Sequence, residues 1–208
     1  MTVNQAIFDS STRIITFILL LGMGTSCDLE LQKSYDFDES ATIYQEQPPF
    51  NQTIWEFMNQ QADFDLMVEA IDFAGMQDVF DGGQDDKTVL LLRQEAMEAF
   101  LSDQNAENVP DLPLDTWKHF LNYHVITTRF TQNDLNSQEY TTLQTLVDGD
   151  DGRIVIWKWR RYMELQINRN GSPDRPNTAK GDAVFLHNYE FTNGVGHQMR
   201  KYVGWAPY

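Results

Sequence analysis

An α+β fold, with helices first in the chain and strands later, follows from three observations on this sequence. Apolar residues at helical spacing fill the first part of the chain beyond residue 52, and β-branched or aromatic runs fill the second part. The two kinds of segment do not alternate, as they would in a doubly wound sheet. With 208 residues, 41% of them hydrophobic and 12% aromatic, the chain can bury one good core, so a single domain with appendages is expected.

The elements follow in order. Thr53-Ile54-Trp55-Glu56 is a capping-box pattern that starts a first helix. Asp63 is a candidate N-cap for a second, in which Phe64, Met67, Val68, Ile71 and Ala74 share a face and Gly75 supplies the left-handed stop. Met76, Val79 and Phe80 lead into an acidic, glycine-rich turn at 81–86. Thr88 to Leu92 is a short continuous apolar run and predicts a buried strand, and Gln94 to Leu101 predicts a helix. Pro113 fits the first turn of another helix with the apolar face Leu114, Trp117, Phe120 and Leu121, ended by residues 122–126. Strands are predicted over Thr142–Val147, Arg153–Trp159, Tyr162–Asn168 and Ala183–Phe191. Asn193-Gly194 is a strong hairpin turn signal, and Gly196 reads as a point of close backbone approach or a bulge.

The N-terminal part is of another kind. Ile14 to Gly24 is an apolar run of signal-peptide length, too short for the roughly 20 residues of a spanning helix, and Gly24-Thr25-Ser26 leads directly into Cys27. This resembles a bacterial lipobox, although Gly24 stands where a leucine is usual. It implies a lipoprotein signal peptide over 1–26, cleavage before Cys27 and lipidation of that residue; the alternative is a plain secretory signal with a stray thiol. Residues 27–51 are acidic, aperiodic and closed by Pro48-Pro49. They read as an extended tether, the alternative being an ordered arm along the domain. The domain proper is then 52–208.

Charge and motif patterns exclude several functions. A net charge of −16, from 15 Lys and Arg against 31 Asp and Glu, would repel a phosphate backbone, so nucleic acid is not an expected partner. The single cysteine leaves no thiol nucleophile once Cys27 carries the anchor, and no Ser lies in a nucleophile elbow. His119 and His124 are five apart without an intervening glutamate pattern, so they do not make a zinc helix. Asp148 to Gly152 fails as a calcium loop because Gly152, Arg153 and Trp159 occupy the ligand and glycine positions. No catalytic set, metal or cofactor is expected.

In order along the chain, Thr88-Val89 with Glu95-Ala96, Tyr123-His124, Thr145-Leu146 and Asn193-Gly194-Val195-Gly196-His197 resemble the motifs of a fasciclin-type adhesion domain, over about residues 52 to 203. The resemblance implies a fasciclin-like fold, with N-terminal helices packed on a mainly antiparallel β-sheet or β-wedge, a non-enzymatic binding role, and structural roles for Tyr123, His124, Asn193, Gly194 and His197. Two departures bear on function. Leu90-Leu91-Leu92-Arg93-Gln94 replaces the usual proline turn and acidic cap, and His187-Asn188-Tyr189-Glu190 replaces the Asp-Ile pair linked with receptor adhesion. Receptor-type adhesion therefore does not carry over.

The segment from Arg153 to Arg161 holds four basic residues and no acidic one, a local reversal of the chain's charge. By alternation Trp157 and Trp159 share one face, with Lys158 and Arg160 opposite. Exposed, these indoles suit stacking on a sugar ring or anchoring a protein; buried, they are core. Trp157, Lys158, Trp159, Arg160, Arg161 and Tyr162 are therefore the candidate binding residues. The resulting expectation is a lipid-anchored binding domain exported to the outer membrane or surface of a Gram-negative bacterium. Its partners would be the membrane, a protein of a nutrient-uptake complex and its glycan or peptide cargo. An extracellular hydrolase or carbohydrate-processing protein is the alternative.

Overall fold

The computed structural model describes residues 49–82, 87–173 and 179–205, so Cys27, the signal segment and nearly all of the predicted tether lie outside the described residues. The tether boundary needs revision at its end. Phe50 donates its amide to the Glu190 carbonyl at 2.7 Å and its ring packs 5.2 Å from Phe191 and 5.3 Å from Phe57, so this residue belongs to the domain.

Helix α1 (Ile54–Asn59) starts at the predicted capping box: Glu56 N–H donates to Thr53 Oγ1 at 3.2 Å, and Thr53 N–H to Glu56 Oε2 at 2.8 Å. Helix α2 (Asp65–Ala74) does not use Asp63 as its cap. A 3-10 turn over Ala62–Phe64 runs straight into it, and the Asp63 carboxylate pairs with Arg93 at 2.8 Å instead. Gly75, at φ +65°, ends the helix as expected. A short α3 (Gln77–Asp81) occupies the lead into the predicted turn, because fully buried Phe80 anchors it to the core.

Strand β1 (Thr88–Leu92) is buried along its whole length, as its continuous apolar run requires of a central strand. Helix α4 (Gln94–Asp103) follows at once, and its N-cap Arg93 makes no side-chain cap, which is the structural result of the missing acidic residue. Helix α5 (Leu114–Tyr123) has Pro113 as its N-cap rather than inside its first turn; Trp117, Phe120 and Leu121 are buried, while Leu114 is exposed.

The described residues include ten short strands, the rest being β2 (Val125–Ile126), β3 (Tyr140–Gln144), β4 (Arg153–Lys158), β5 (Leu165–Ile167), β6 (Ala179–Lys180), β7 (Asp182–Ala183), β8 (Leu186–Phe191), β9 (Gly194–Met199) and β10 (Gly204–Trp205). One sheet has the order β2-β1-β9-β8, in which only β1 and β9 run parallel. The other, β3-β4-β5-β7, is antiparallel throughout, and β6 pairs with β10 separately. Predicted strand boundaries shift where side chains redirect the chain. Thr145 leaves β3 because its N–H and hydroxyl both donate to the Gly152 carbonyl, at 2.9 and 2.8 Å. Arg160 to Tyr162 form a turn, followed by Met163 at φ +53°, so β5 begins at Leu165.

The core joins α2, α4 and α5 to the first sheet. Phe100 and Phe120 stack at 3.7 Å between ring centroids, and Trp117 meets both edge-on. The indole Nε1 of Trp117 donates to the Val109 carbonyl at 2.8 Å, so its one polar atom is satisfied in the interior.

Candidate functional site

The residues singled out by their motifs are joints between elements. Tyr123 is fully buried; its hydroxyl donates to the Arg153 carbonyl at 3.0 Å and accepts from Asn168 Nδ2 at 2.9 Å, tying α5 to the second sheet. Asn168, at φ +48°, also accepts from Val155 N–H at 3.0 Å. His124 is fully buried. Its Nδ1 donates to the Phe120 carbonyl at 2.7 Å and its Nε2 accepts from Val203 N–H at 3.2 Å, which identifies a neutral ring with both nitrogens engaged. Burial pushes its pKa down to about 4.

The hairpin turn at β8–β9 differs from the expected one. Phe191 pairs with Gly194, so Thr192 and Asn193 make the turn and Gly194 is the first strand residue. The reason lies in tertiary contacts. Asn193 Oδ1 accepts from Ile54 N–H at 3.0 Å, and its Nδ2 donates to the Phe80 and Asp81 carbonyls at 2.8 and 3.1 Å, so one buried amide joins the start of α1 to the end of α3. Gly194, at φ +155°, passes so close to the Lys87 carbonyl that a Cβ would lie 2.7 Å from it. At Gly196 a Cβ would meet Leu91 Cδ1 at 2.6 Å and Phe191 Cε2 at 2.9 Å, so the glycine makes room for packed side chains rather than for the close backbone approach the sequence suggested.

His197 lies fully buried between the strands and stacks on Phe130 at 5.1 Å. Its Nδ1 accepts from Asn188 N–H at 3.2 Å across an irregularity in β8, where Asn188 has φ +60°. Burial first, and His187 second, hold its pKa down at about 3. These rings serve separate joints, His124 with Val203 and His197 with Asn188. Among the described residues no group of three or more His, Cys, Asp or Glu side chains is placed to hold a metal ion.

The candidate binding segment divides in two. Trp157 is half-buried, while Trp159 is 37% and Tyr162 55% exposed, and Arg160 and Arg161 are exposed. Lys158 is not available to a partner. Its side chain lies on the same face of β4 as buried Ile156, is 5% exposed, and donates from Nζ at 2.8 Å to the carbonyl of Gln132, in the 3-10 turn before β3. The strand ends at Lys158, so alternation stops there and Arg160 stands in the following turn rather than on a basic face with Lys158.

In place of a basic face the structure has an aromatic ribbon. Tyr140 pairs across the sheet with Trp157, and the rings Tyr140, Trp157, Trp159 and Tyr162 follow one another at 6.5, 6.4 and 4.9 Å between centroids. Guanidinium groups lie over both of its parts: Arg169 is 4.3 Å from the Trp157 ring and Arg161 is 5.2 Å from Tyr162. Tyr140 and Arg169 were absent from the sequence-based set because only strand register brings them to Trp157.

A family model, the fasciclin domain, matches residues 62–203. Among solved structures the chain is similar to a fasciclin domain pair from the insect cell adhesion molecule fasciclin I, at 18% identity and a TM-score of 0.56, over 74% of this chain and 51% of that one. This chain thus spans about half the length of that pair. No curated protein sequence matches the chain.

Proposed function

The chain belongs to the fasciclin domain family, and from that premise we propose that it is a non-catalytic binding domain, lipid-anchored through Cys27 to the outer membrane of a Gram-negative bacterium. Domains of this family are adhesion-type domains. Because a fold alone does not assign a function, the reading rests on the site. The observation that carries it is the exposed run Trp159, Arg160, Arg161 and Tyr162 beside Trp157, on a domain whose two motif histidines are buried, neutral and committed to backbone bonds. Trp, Tyr and Arg concentrate binding energy at interfaces, and here they are the residues left outside the core.

The setting we propose is an accessory subunit of an outer-membrane complex that takes up glycan or peptide. The acidic composition between Cys27 and Phe50 supports it, because negative charge next to the anchor disfavours contact with anionic lipid. Two measurements test the proposal. Purification of the full chain from native membranes should bring down an outer-membrane transporter, and recovery of the chain alone refutes the accessory role. Cys27→Ser should move the protein from the membrane to the soluble fraction, and unchanged retention refutes the anchor.

A further inference from the structure

Resting on the reading that the aromatic ribbon is the binding face, we propose that it binds an acidic polysaccharide, one whose pyranose rings carry carboxylates. Four rings in series, Tyr140, Trp157, Trp159 and Tyr162, run from strand β3 across β4 and into the turn beyond it. That layout suits a polymer with repeated contacts better than a single small ligand, which is held in a concave pocket. The C–H face of a pyranose packs on an indole or phenol ring, and its hydroxyls find donors at the ring edges. Among the described residues neither Trp157 nor Trp159 has its indole N–H in a hydrogen bond, so both donors are open to a ligand.

Locally, and against the chain's net charge of −16, charge selects the acidic class. Arg160, Arg161 and Arg169 are exposed beside the ribbon, and among the described residues none of the three is in an ion pair. The other arginines that do have carboxylate partners, such as Arg93, Arg129 and Arg153, lie elsewhere or at the far end of β4. Glu164 is the nearest acidic residue in the segment, and it is half-buried and accepts from Gln166 Nε2 at 2.7 Å. A guanidinium already seated over an aromatic ring keeps its N–H edge free for a carboxylate, and its planar fork binds that group bidentately. An acidic peptide satisfies the arginines but offers no pyranose face for Tyr140 and Trp159, over which no guanidinium is seated, so the polysaccharide uses more of the surface.

The test is titration calorimetry of the full chain in detergent with polygalacturonate and alginate, with carboxyl-reduced polygalacturonate, and with poly-L-glutamate. Binding of at least one uronate polymer is expected, with a loss of affinity of tenfold or more for Trp159→Ala, for Arg169→Met and for the carboxyl-reduced polymer. Tyr162→Ala, at the most exposed ring, serves as a second variant, and unchanged thermal unfolding of all three variants separates lost contact from lost fold. Binding of neither uronate polymer overturns the inference, as does equal affinity for poly-L-glutamate or indifference to Trp159→Ala and Tyr162→Ala. If uronates fail while Trp159→Ala still abolishes co-purification of a transporter, the ligand class is wrong and the binding face stands. If that variant leaves co-purification intact, the face itself is wrong.

Discussion

Replacing Asn193 by alanine should destabilise the domain by about 3 kcal/mol. The side chain makes three hydrogen bonds, to Ile54 N–H, the Phe80 carbonyl and the Asp81 carbonyl. Ile54 and Phe80 are both fully buried, so water does not replace those two bonds without opening the structure. A buried polar group left without its partner costs about 1–3 kcal/mol, so the two orphaned groups together cost about 3 kcal/mol, with the Asp81 carbonyl adding little where water reaches it. For a domain of this size, about 3 kcal/mol corresponds to a fall in Tm of roughly 6–12 °C. With a urea m-value of about 2 kcal/mol/M, the midpoint should fall by about 1.5 M, read by tryptophan fluorescence. Asn193→Asp sharpens the test. It retains an acceptor for Ile54 N–H but turns a carboxylate oxygen toward two carbonyls, so at pH 7 it should be at least as unstable as the alanine variant. A loss below about 1 kcal/mol for alanine, or an aspartate variant near wild type, refutes the view that this amide is the joint between α1 and α3.

Three more outcomes follow from the packing and the charges. Gly196→Ala puts a Cβ 2.6 Å from Leu91 Cδ1, and should cost about 1–3 kcal/mol by urea unfolding; no loss would mean that the Leu91 side chain moves aside freely. Lys158→Glu should destabilise by about 3–5 kcal/mol, because a carboxylate then lies buried by the Gln132 carbonyl, whereas Arg160→Glu in the exposed turn should leave the midpoint unchanged within error. Equal effects of the two would restore the alternating basic face. His124 and His197 titrate at about 4 and about 3 in the fold, against 6.5 in the unfolded chain, so the unfolded state binds protons that the fold excludes. Stability is therefore full above pH 6.5 and falls toward pH 4, by about 2 kcal/mol for each ring at pH 5, and a urea midpoint that stays flat between pH 7 and pH 5 refutes it. Asp103, Asp111 and Asp134, whose pKa values are lowered, act only below that window.

Most of the helical half was legible in the sequence because its signals are local. The capping box at Thr53, the left-handed stop at Gly75 and the buried run Thr88–Leu92 each depend on residues within one or two turns of one another. Asp63 misled because a carboxylate that can cap a helix can also pair with a distant guanidinium, and Arg93 is the partner it found. Likewise Asn193-Gly194 carries a genuine turn propensity, but three long-range bonds to the Asn193 amide moved the turn by one residue.

The candidate site shows the same division. Alternation placed Trp157 and Lys158 on opposite faces, and they are opposite, yet which face is the core depends on what packs beneath β4. The lysine stem crosses that apolar layer to the Gln132 carbonyl, leaving the indoles outside. Composition, helix signals, the order of motifs and the charge reversal at Arg153–Arg161 are properties of neighbouring residues, and the sequence by itself determined them. Register, the direction of a sheet's inner face, and the meeting of Tyr140 and Arg169 with Trp157 arise from residues far apart in the chain. Only the tertiary structure decided these, because burial and long-range hydrogen bonds outweigh local preferences of a few tenths of a kcal/mol.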